Sequence, residues 1–331
     1  MAEYLPTNPV LRAFFDTGAA FGPLDRDAHP NQRCAGLLAL DRLGADDAAL
    51  KDFAAQQDAR LQPAPEAAAW PAGDAWAEGL GKAEAWAPYR KLMGQWLFYE
   101  DAGDMLYQTL PPLLRGSGGA GFAGLIRTAY AVQAHHRQEL ADALAYWASC
   151  HLALPKADGV RAAARPSADP EPALRRLHAA APSRRSWNHA VQAVAREAAF
   201  EQAVAMLVPD AQLVQRLSAL AAQAFAATGA PLAAQLVISA QALNVLLQFI
   251  DDEALPAALE DYWRAFAAVV CVAGLRDAPP PEPRTWRVIL ARVRDCRDPR
   301  AICLVDSCRA LEKTYGPDPV WRQAATRALW A

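Results

Sequence analysis

Between Leu217 and Ile250 the chain carries no charged residue, a run long enough in helical form to cross a bilayer. Such a stretch must be enclosed, either by lipid or by protein. Thr228-Gly229-Ala230-Pro231 interrupts it, and Gln223, Gln235, Gln241, Asn244 and Gln248 stud it, each of them costly in hydrocarbon. The expectation is therefore a pair of helices buried inside a soluble protein, with no membrane involved. A chain of 331 residues, 53% hydrophobic and 21% charged, is long enough to supply the core around them.

Helical punctuation recurs elsewhere. Leu37, Leu38, Leu40 and Leu43 form an apolar stripe closed by Gly44, and Asp46-Asp47 opens the next helix through Leu50 and Phe53. Asp298-Pro299 and Asp318-Pro319 each place a capping acid before a proline at the first helical position. Trp187 to Met206 runs without Gly or Pro after Pro182-Ser183 and reads as one helix. Ala267 to Val272 is rich in valine but continues the helical spacing of Tyr262, Phe266 and Val269. With alternating strand runs nearly absent, the expected fold is all-α: one multi-helix bundle of about a dozen helices around an interior pocket. Irregular ground falls at Gln62 to Lys82, Lys156 to Pro172 and Asp277 to Pro283. Residues 1–331 are expected to form one domain, with 156–172 as the candidate internal boundary, and no fixed-period repeat points to a solenoid.

Charge and cysteine usage exclude several classes. Lys and Arg total 33 against 36 Asp and Glu, a formal net charge of −3. That leaves no electrostatic footprint for nucleic acid or an anionic membrane. The six cysteines, at 34, 150, 271, 296, 303 and 308, form neither a disulfide framework nor a paired zinc pattern and read as reduced, mostly buried thiols. Met1 to Asn8 contain Glu3 and Pro6 with no apolar run behind them, so a cytoplasmic protein is expected. The oligomeric state is not encoded in any pattern of this kind.

Chemistry-bearing motifs are sparse. None of His29, His135, His136, His151, His178 and His189 forms HExxH, and His136 with Glu139 is the one His/Glu pair spaced by three. That pair reads as the polarity of a helix surface. Gly116-Ser117-Gly118-Gly119-Ala120-Gly121 lacks the Lys-Ser/Thr ending and the preceding strand of a phosphate loop, and reads as a turn that lets a helix start close to a neighbour. Cys150-His151 are chain neighbours and no GxSxG occurs. More telling are polar residues at core positions. Gln241, Asn244 and Gln248 share one helical face, and Arg127 stands among Leu125, Ile126 and Tyr130, so both stripes are expected to face a polar interior.

Three strings, Leu37–Ala45 (LLALDRLGA), Gly124–Val132 (GLIRTAYAV) and Glu139–Ala148 (ELADALAYWA), taken in order, resemble segments of questin oxidase-like proteins. The resemblance runs from Phe14 to the Ala301-Ile302 helix. It implies an all-helical fold and oxidation of polycyclic aromatic ketones of the anthraquinone type by molecular oxygen, through Baeyer-Villiger-like or ring-cleaving chemistry. It also implies iron held by histidines spread along the chain with a lysine near the C-terminal end, and NADPH as a reductant.

The residues that this resemblance would make ligands are replaced. Asn31-Gln32 stands where the pattern has Asn-His; Ala123, Tyr130 and Gln241 stand at three further histidine positions; Arg300 and Cys303 stand where the terminal His and Lys would fall. Alanine offers no donor, an amide is a poor one and arginine stays protonated. No metal is therefore expected at that position, and the residues by themselves call for no cofactor. A rebuilt site would have to use His29 with His136, Asp251 and Asp252. Two readings follow. In the first, the protein is a catalytically degenerate member that binds a small aromatic molecule through Gln32, Ala123, Arg127, Tyr130, Gln241, Asn244, Arg300 and Cys303. In the second, it is an active oxidoreductase with a rebuilt or metal-free site. The residues favour the first.

Overall fold

A computed structural model describes residues 8–66, 76–156, 166–177, 187–273 and 279–330. The order is α1 (Pro9–Gly18), β1 (Phe21–Asp25), α2 (Arg33–Arg42), α3 (Asp47–Asp58), β2 (Leu61–Pro63), α4 (Trp86–Tyr99), α5 (Ala102–Leu114), α6 (Ala123–Ala134) and α7 (Arg137–Cys150). It continues with α8 (Glu171–Leu174), α9 (Trp187–Ala195), α10 (Ala198–Val204), α11 (Leu213–Thr228) and α12 (Pro231–Leu246). The last four are α13 (Leu255–Ala273), α14 (Trp286–Val293), α15 (Pro299–Tyr315) and α16 (Pro319–Trp330). The all-α expectation holds, with sixteen α-helices among the described residues in place of about a dozen. Of the proposed boundary at 156–172, residues 157–165 lie outside the described residues, as does His178.

The charge-free run behaves as the sequence requires. Gly229 takes a left-handed conformation (φ 66°) and ends α11, its N–H bonding to the Phe225 carbonyl, and Pro231 occupies the first turn of α12. The Pro231–Phe249 stretch is long and apolar enough to cross a membrane, but over half of its apolar window is buried inside the protein. α12 packs against α6, α11, α13 and α15. Four helices close a ring in which each meets the next: α2 on α6, α6 on α12, α12 on α15, and α15 on α2. These helices are buried nearly all round, as shown by the unbroken buried stretches Ala123–Ala131 and Ala301–Cys308. α7 lies outside the ring against α4 and α6 and is itself buried from Glu139 to Ser149.

Two local expectations change. Trp187–Met206 is two helices, not one. At 100° per residue, Val191 and Phe200 would point to opposite sides of a continuous helix, whereas the break at Arg196-Glu197 turns both inward, next to α13. A small antiparallel sheet also forms, pairing Phe21 with Pro63 and Asp25 with Leu61. β1 contains Gly22 and Pro23, so its residues carry no alternation to read, and the pairing is fixed by contact with a segment far along the chain.

The glycine-rich turn does let a helix start close to a neighbour. A Cβ on Gly119 would sit 1.8 Å from the Cys150 carbonyl oxygen, so α6 can leave the turn beside the end of α7 only with glycine there. Gly119→Ala is expected to cost about 1–3 kcal/mol as an overpacking change. Gly94→Ala, in a half-exposed part of α4 where a Cβ meets nothing within 4 Å, should be neutral or add up to about 1 kcal/mol. Thermal unfolding of the two variants checks this; equal melting temperatures would show that the turn has room to shift.

Candidate functional site

Every position at which the sequence departs from the expected ligand pattern lies on the four-helix ring or at the start of one of its helices. Gln32 immediately precedes α2, Ala123 and Tyr130 are on α6, Gln241 is on α12, and Arg300 and Cys303 are in the first turns of α15. Of the eight candidate residues, one hydrogen bond joins two: the Tyr130 hydroxyl reaches the Cys303 carbonyl at 3.4 Å. The same hydroxyl donates to Asp306 Oδ2 at 3.1 Å. Asp306 Oδ1 lies 3.4 Å from Arg42 Nε, and Arg42 Nη1 donates to Gln133 Oε1 at 2.8 Å. α2, α6 and α15 are thereby tied at one point by a phenol, a carboxylate and a guanidinium.

Burial dominates the acid–base character of this point. It raises the Tyr130 phenol and the Cys303 thiol well above their ordinary values. It also raises the Asp306 carboxyl, against the pull of Arg42 and of the Tyr130 hydrogen bond. Tyrosine and cysteine at these places are therefore neutral groups, able to donate a proton in a hydrogen bond and unsuited to anionic ligation.

A second buried cluster lies between α6 and α7. Arg127 Nε and Nη2 hold the two carboxylate oxygens of Glu139 at 2.7 and 3.0 Å, both residues being buried. Glu139 is thus no part of a helix surface. His136 caps α7, its Nδ1 accepting from the Glu139 N–H at 3.1 Å while Nε2 meets Asp16 Oδ1 at 2.9 Å. Asp142, one turn further along α7 and fully buried, receives Arg90 Nε from α4 at 2.6 Å and Gln138 Nε2 at 2.7 Å. Burial raises the Asp142 carboxyl, and it raises the Cys34 thiol, with Glu139 adding to the latter. Arg127 is therefore committed to an ion pair through Nε and Nη2, while its buried Nη1 has no hydrogen-bond partner within the protein. Asp142 and Arg90 escaped the sequence reading. The signal available was a second acid three residues after Glu139 in a helix otherwise apolar on all sides.

The remaining candidates are dispersed along the ring. Gln32 stands at the opposite end of α2 from Arg42, about 15 Å away along the helix axis. It is the neighbour of Arg33, which is held by the Phe14 carbonyl and by Asp58. Asn244 Oδ1 accepts from the Tyr315 hydroxyl at 3.3 Å, in the last turn of α15, whereas Arg300 is in its first. Gln248 is exposed beyond the end of α12, with its amide on the Val245 carbonyl, so the expected polar stripe ends at Asn244. Gln241 Oε1 and Arg300 Nε are buried atoms without a hydrogen-bond partner within the protein. Ala123 is buried at the head of α6 and offers no donor.

The rebuilt-site residues are not assembled either. Among the described residues, the one grouping of His, Cys, Asp and Glu close enough to share an ion is Asp25, Asp27 and His29, their ligand atoms within 4.8 Å of one another. His136, Asp251 and Asp252 are not part of it. Asp25 Oδ1 in that group already accepts from the N–H groups of Asp27 and His29, and Oδ2 from Arg60 at 3.2 Å. It is a hydrogen-bonded chain corner on which Asp27 and His29 are exposed.

The family model described as Questin oxidase-like matches residues 31–305, from the residue before Gln32 to the one before Asp306. The chain belongs to this family. No curated protein matches it. The questin oxidase-like match takes in α2, α6 and α12 whole and the first part of α15, through Val305. Iron at the positions that the sequence resemblance implies does not fit the donors present. Ala123 has none, Tyr130 and Cys303 are held neutral by burial, and Asp306 is engaged by Arg42.

Two expectations follow from these clusters. Arg127→Met leaves Glu139 buried and unpaired and is expected to cost about 3–5 kcal/mol, while Arg127→Met with Glu139→Leu should recover much of that loss in chemical denaturation. For Asp306, the folded protein keeps a proton that the unfolded chain has released between the ordinary carboxylate value and the raised one. Wild-type stability relative to Asp306→Asn should therefore fall as pH rises through that window. Denaturation at a series of pH values reads this directly; a relative stability that climbs with pH would mean that Arg42 outweighs burial.

Proposed function

We propose that this questin oxidase-like protein has kept the helical frame of its family and lost the metal chemistry, and that it binds a small aromatic, quinone-type molecule without oxidising it. The carrying observation is the Tyr130–Asp306–Arg42 link. At the point where two of the expected ligand positions meet, a neutral phenol is hydrogen-bonded to a carboxylate that an arginine already balances. A set of that kind satisfies itself and has no strong donor to spare for iron. The unpartnered Gln241 Oε1 and Arg300 Nε are a buried acceptor on α12 and a buried donor on α15, which supports retained binding of an oxygen-bearing ligand. The protein chemistry of this reading is positioning alone, with no proton or electron moved.

Two measurements test it. Protein expressed with iron supplied should purify with substoichiometric iron, and added ferrous iron under anaerobic conditions should leave the melting temperature unchanged, because no ion binds preferentially to the folded state. Titration with an anthraquinone should quench tryptophan fluorescence saturably, with weaker binding in Gln241→Leu. Near-stoichiometric iron, lost together with oxidation of the anthraquinone in His29→Ala, would establish the active, rebuilt-site oxidoreductase instead. Absence of any anthraquinone binding would overturn the binding half of this reading.

A further inference from the structure

Phe98 and Tyr99 end α4 with 78% and 83% of their surface exposed, their rings 5.1 Å apart and nearly perpendicular. Folding gives no reason for two adjacent aromatic rings to stand in water. Tyr107 on α5, 41% exposed, places its ring 6.2 Å from that of Phe249 and donates its hydroxyl to the Gln248 carbonyl at 3.1 Å. That contact joins α5 to the segment following α12. A cleft of about 510 Å³ opens at the junction, lined by Glu100, Asp104, Tyr107, Gln108 and Asp251.

Two segments far apart in the chain thus meet with the same composition. Phe98-Tyr99-Glu100-Asp101 and Phe249-Ile250-Asp251-Asp252-Glu253 each set aromatic or apolar residues before acids, and Asp104 follows the first. No Lys or Arg occurs between Lys91 and Arg115, nor between Arg216 and Arg264. Glu100, Asp101, Asp104, Asp251, Asp252 and Glu253 are all exposed, and none of the ion pairs among the described residues uses any of them. Six uncompensated carboxylates in a molecule of formal charge −3 concentrate negative potential at one corner.

We propose that this α4–α5 corner is a docking surface for an arginine-rich segment of a partner protein. Charge complementarity sets the sign of the partner, and the exposed rings select arginine. A guanidinium stacks flat on Phe98, Tyr99 or Tyr107 while its fork bonds a carboxylate through two N–H groups, whereas a lysine ammonium offers a more strongly hydrated point charge. The cleft beside Tyr107 receives one such side chain between Asp104 and Asp251, and the ring pair at the end of α4 receives another. This inference is independent of the ligand reading of the ring.

The test uses the full chain and a fluorescein-labelled peptide of four arginines spaced by glycine and serine, with a matching lysine peptide. At low ionic strength the arginine peptide should bind saturably by fluorescence anisotropy, several-fold tighter than the lysine peptide. Phe98→Ser with Tyr99→Ser should weaken it about tenfold, as should Glu100→Gln, Asp104→Asn and Asp251→Asn combined, the size expected for loss of anchor residues. Neutralising the exposed acids Glu282 and Asp295 should leave it unchanged, and circular dichroism verifies that each variant is folded. No saturable binding, or equal binding by all variants, overturns the proposal. A concentration-dependent dimer in sedimentation that Phe98→Ser with Tyr99→Ser abolishes would also overturn it, by assigning the face to a second copy of this chain.

Discussion

Five carboxylates are buried among the described residues, and each is held by an arginine: Asp25 by Arg60, Glu139 by Arg127, Asp142 by Arg90, Glu201 by Arg264 and Asp306 by Arg42. An isolated charge cannot enter a core of this density, so every acid placed there fixes the position of a cation. Four of the pairs cross from one helix to another. Arg127–Glu139 locks α6 to α7, Arg90–Asp142 locks α4 to α7, Arg264–Glu201 locks α13 to α10, and Arg42–Asp306 locks α2 to α15. Apolar burial drives these helices together but is indifferent to their register; the pairs supply directional contacts that are satisfied in one arrangement.

The helices were legible because their limits are written in local chemistry. Asp46 and Asp298 cap α3 and α15 through the bonds their side chains accept from Ala49 and Arg300, and Gly229 ends α11 in the left-handed region. What escaped the sequence depends on residues far away. Glu139 reads as a surface acid until Arg127 is found twelve positions back across a helix interface. The break after Ala195 is invisible in composition because it is set by the need of Val191 and Phe200 to face the same neighbour. The candidate positions were recognisable as polar or small residues in apolar helices. Their distribution along the ring was not, since it depends on how four helices slide past one another.

Family membership and the candidate positions bear on different levels of the molecule. The match over residues 31–305 takes in most of the frame, which rests on apolar packing among α2, α6, α12 and α15 and on the buried pairs, of which Asp25 and Asp306 lie outside it. Chemistry rests on a handful of side chains carried by that frame, and these can change without moving the helices. Tyr130 shows how. A phenol on α6 reaches Asp306 on α15, where it satisfies a buried carboxylate and adds a contact across the ring. The phenol is itself satisfied there and adds a second tie to an acid that Arg42 already engages.

The interior and the surface then treat charge by opposite rules. Inside, each carboxylate has an arginine, and its burial is tolerable for that reason. At the α4–α5 corner six carboxylates have none among the described residues, although arginines are abundant in the chain, and the two large rings beside them are withheld from the core. Surface acids cost little while they remain in water, and their mutual repulsion is screened within about 10 Å at ordinary salt. Exposed Phe98 and Tyr99 carry a different cost, because apolar surface gains by leaving water whatever the salt. The rings and the acids are stabilised together only by a group that is flat, cationic and able to donate in pairs, and that is the chemistry the interior already uses at Arg127, Arg90 and Arg264.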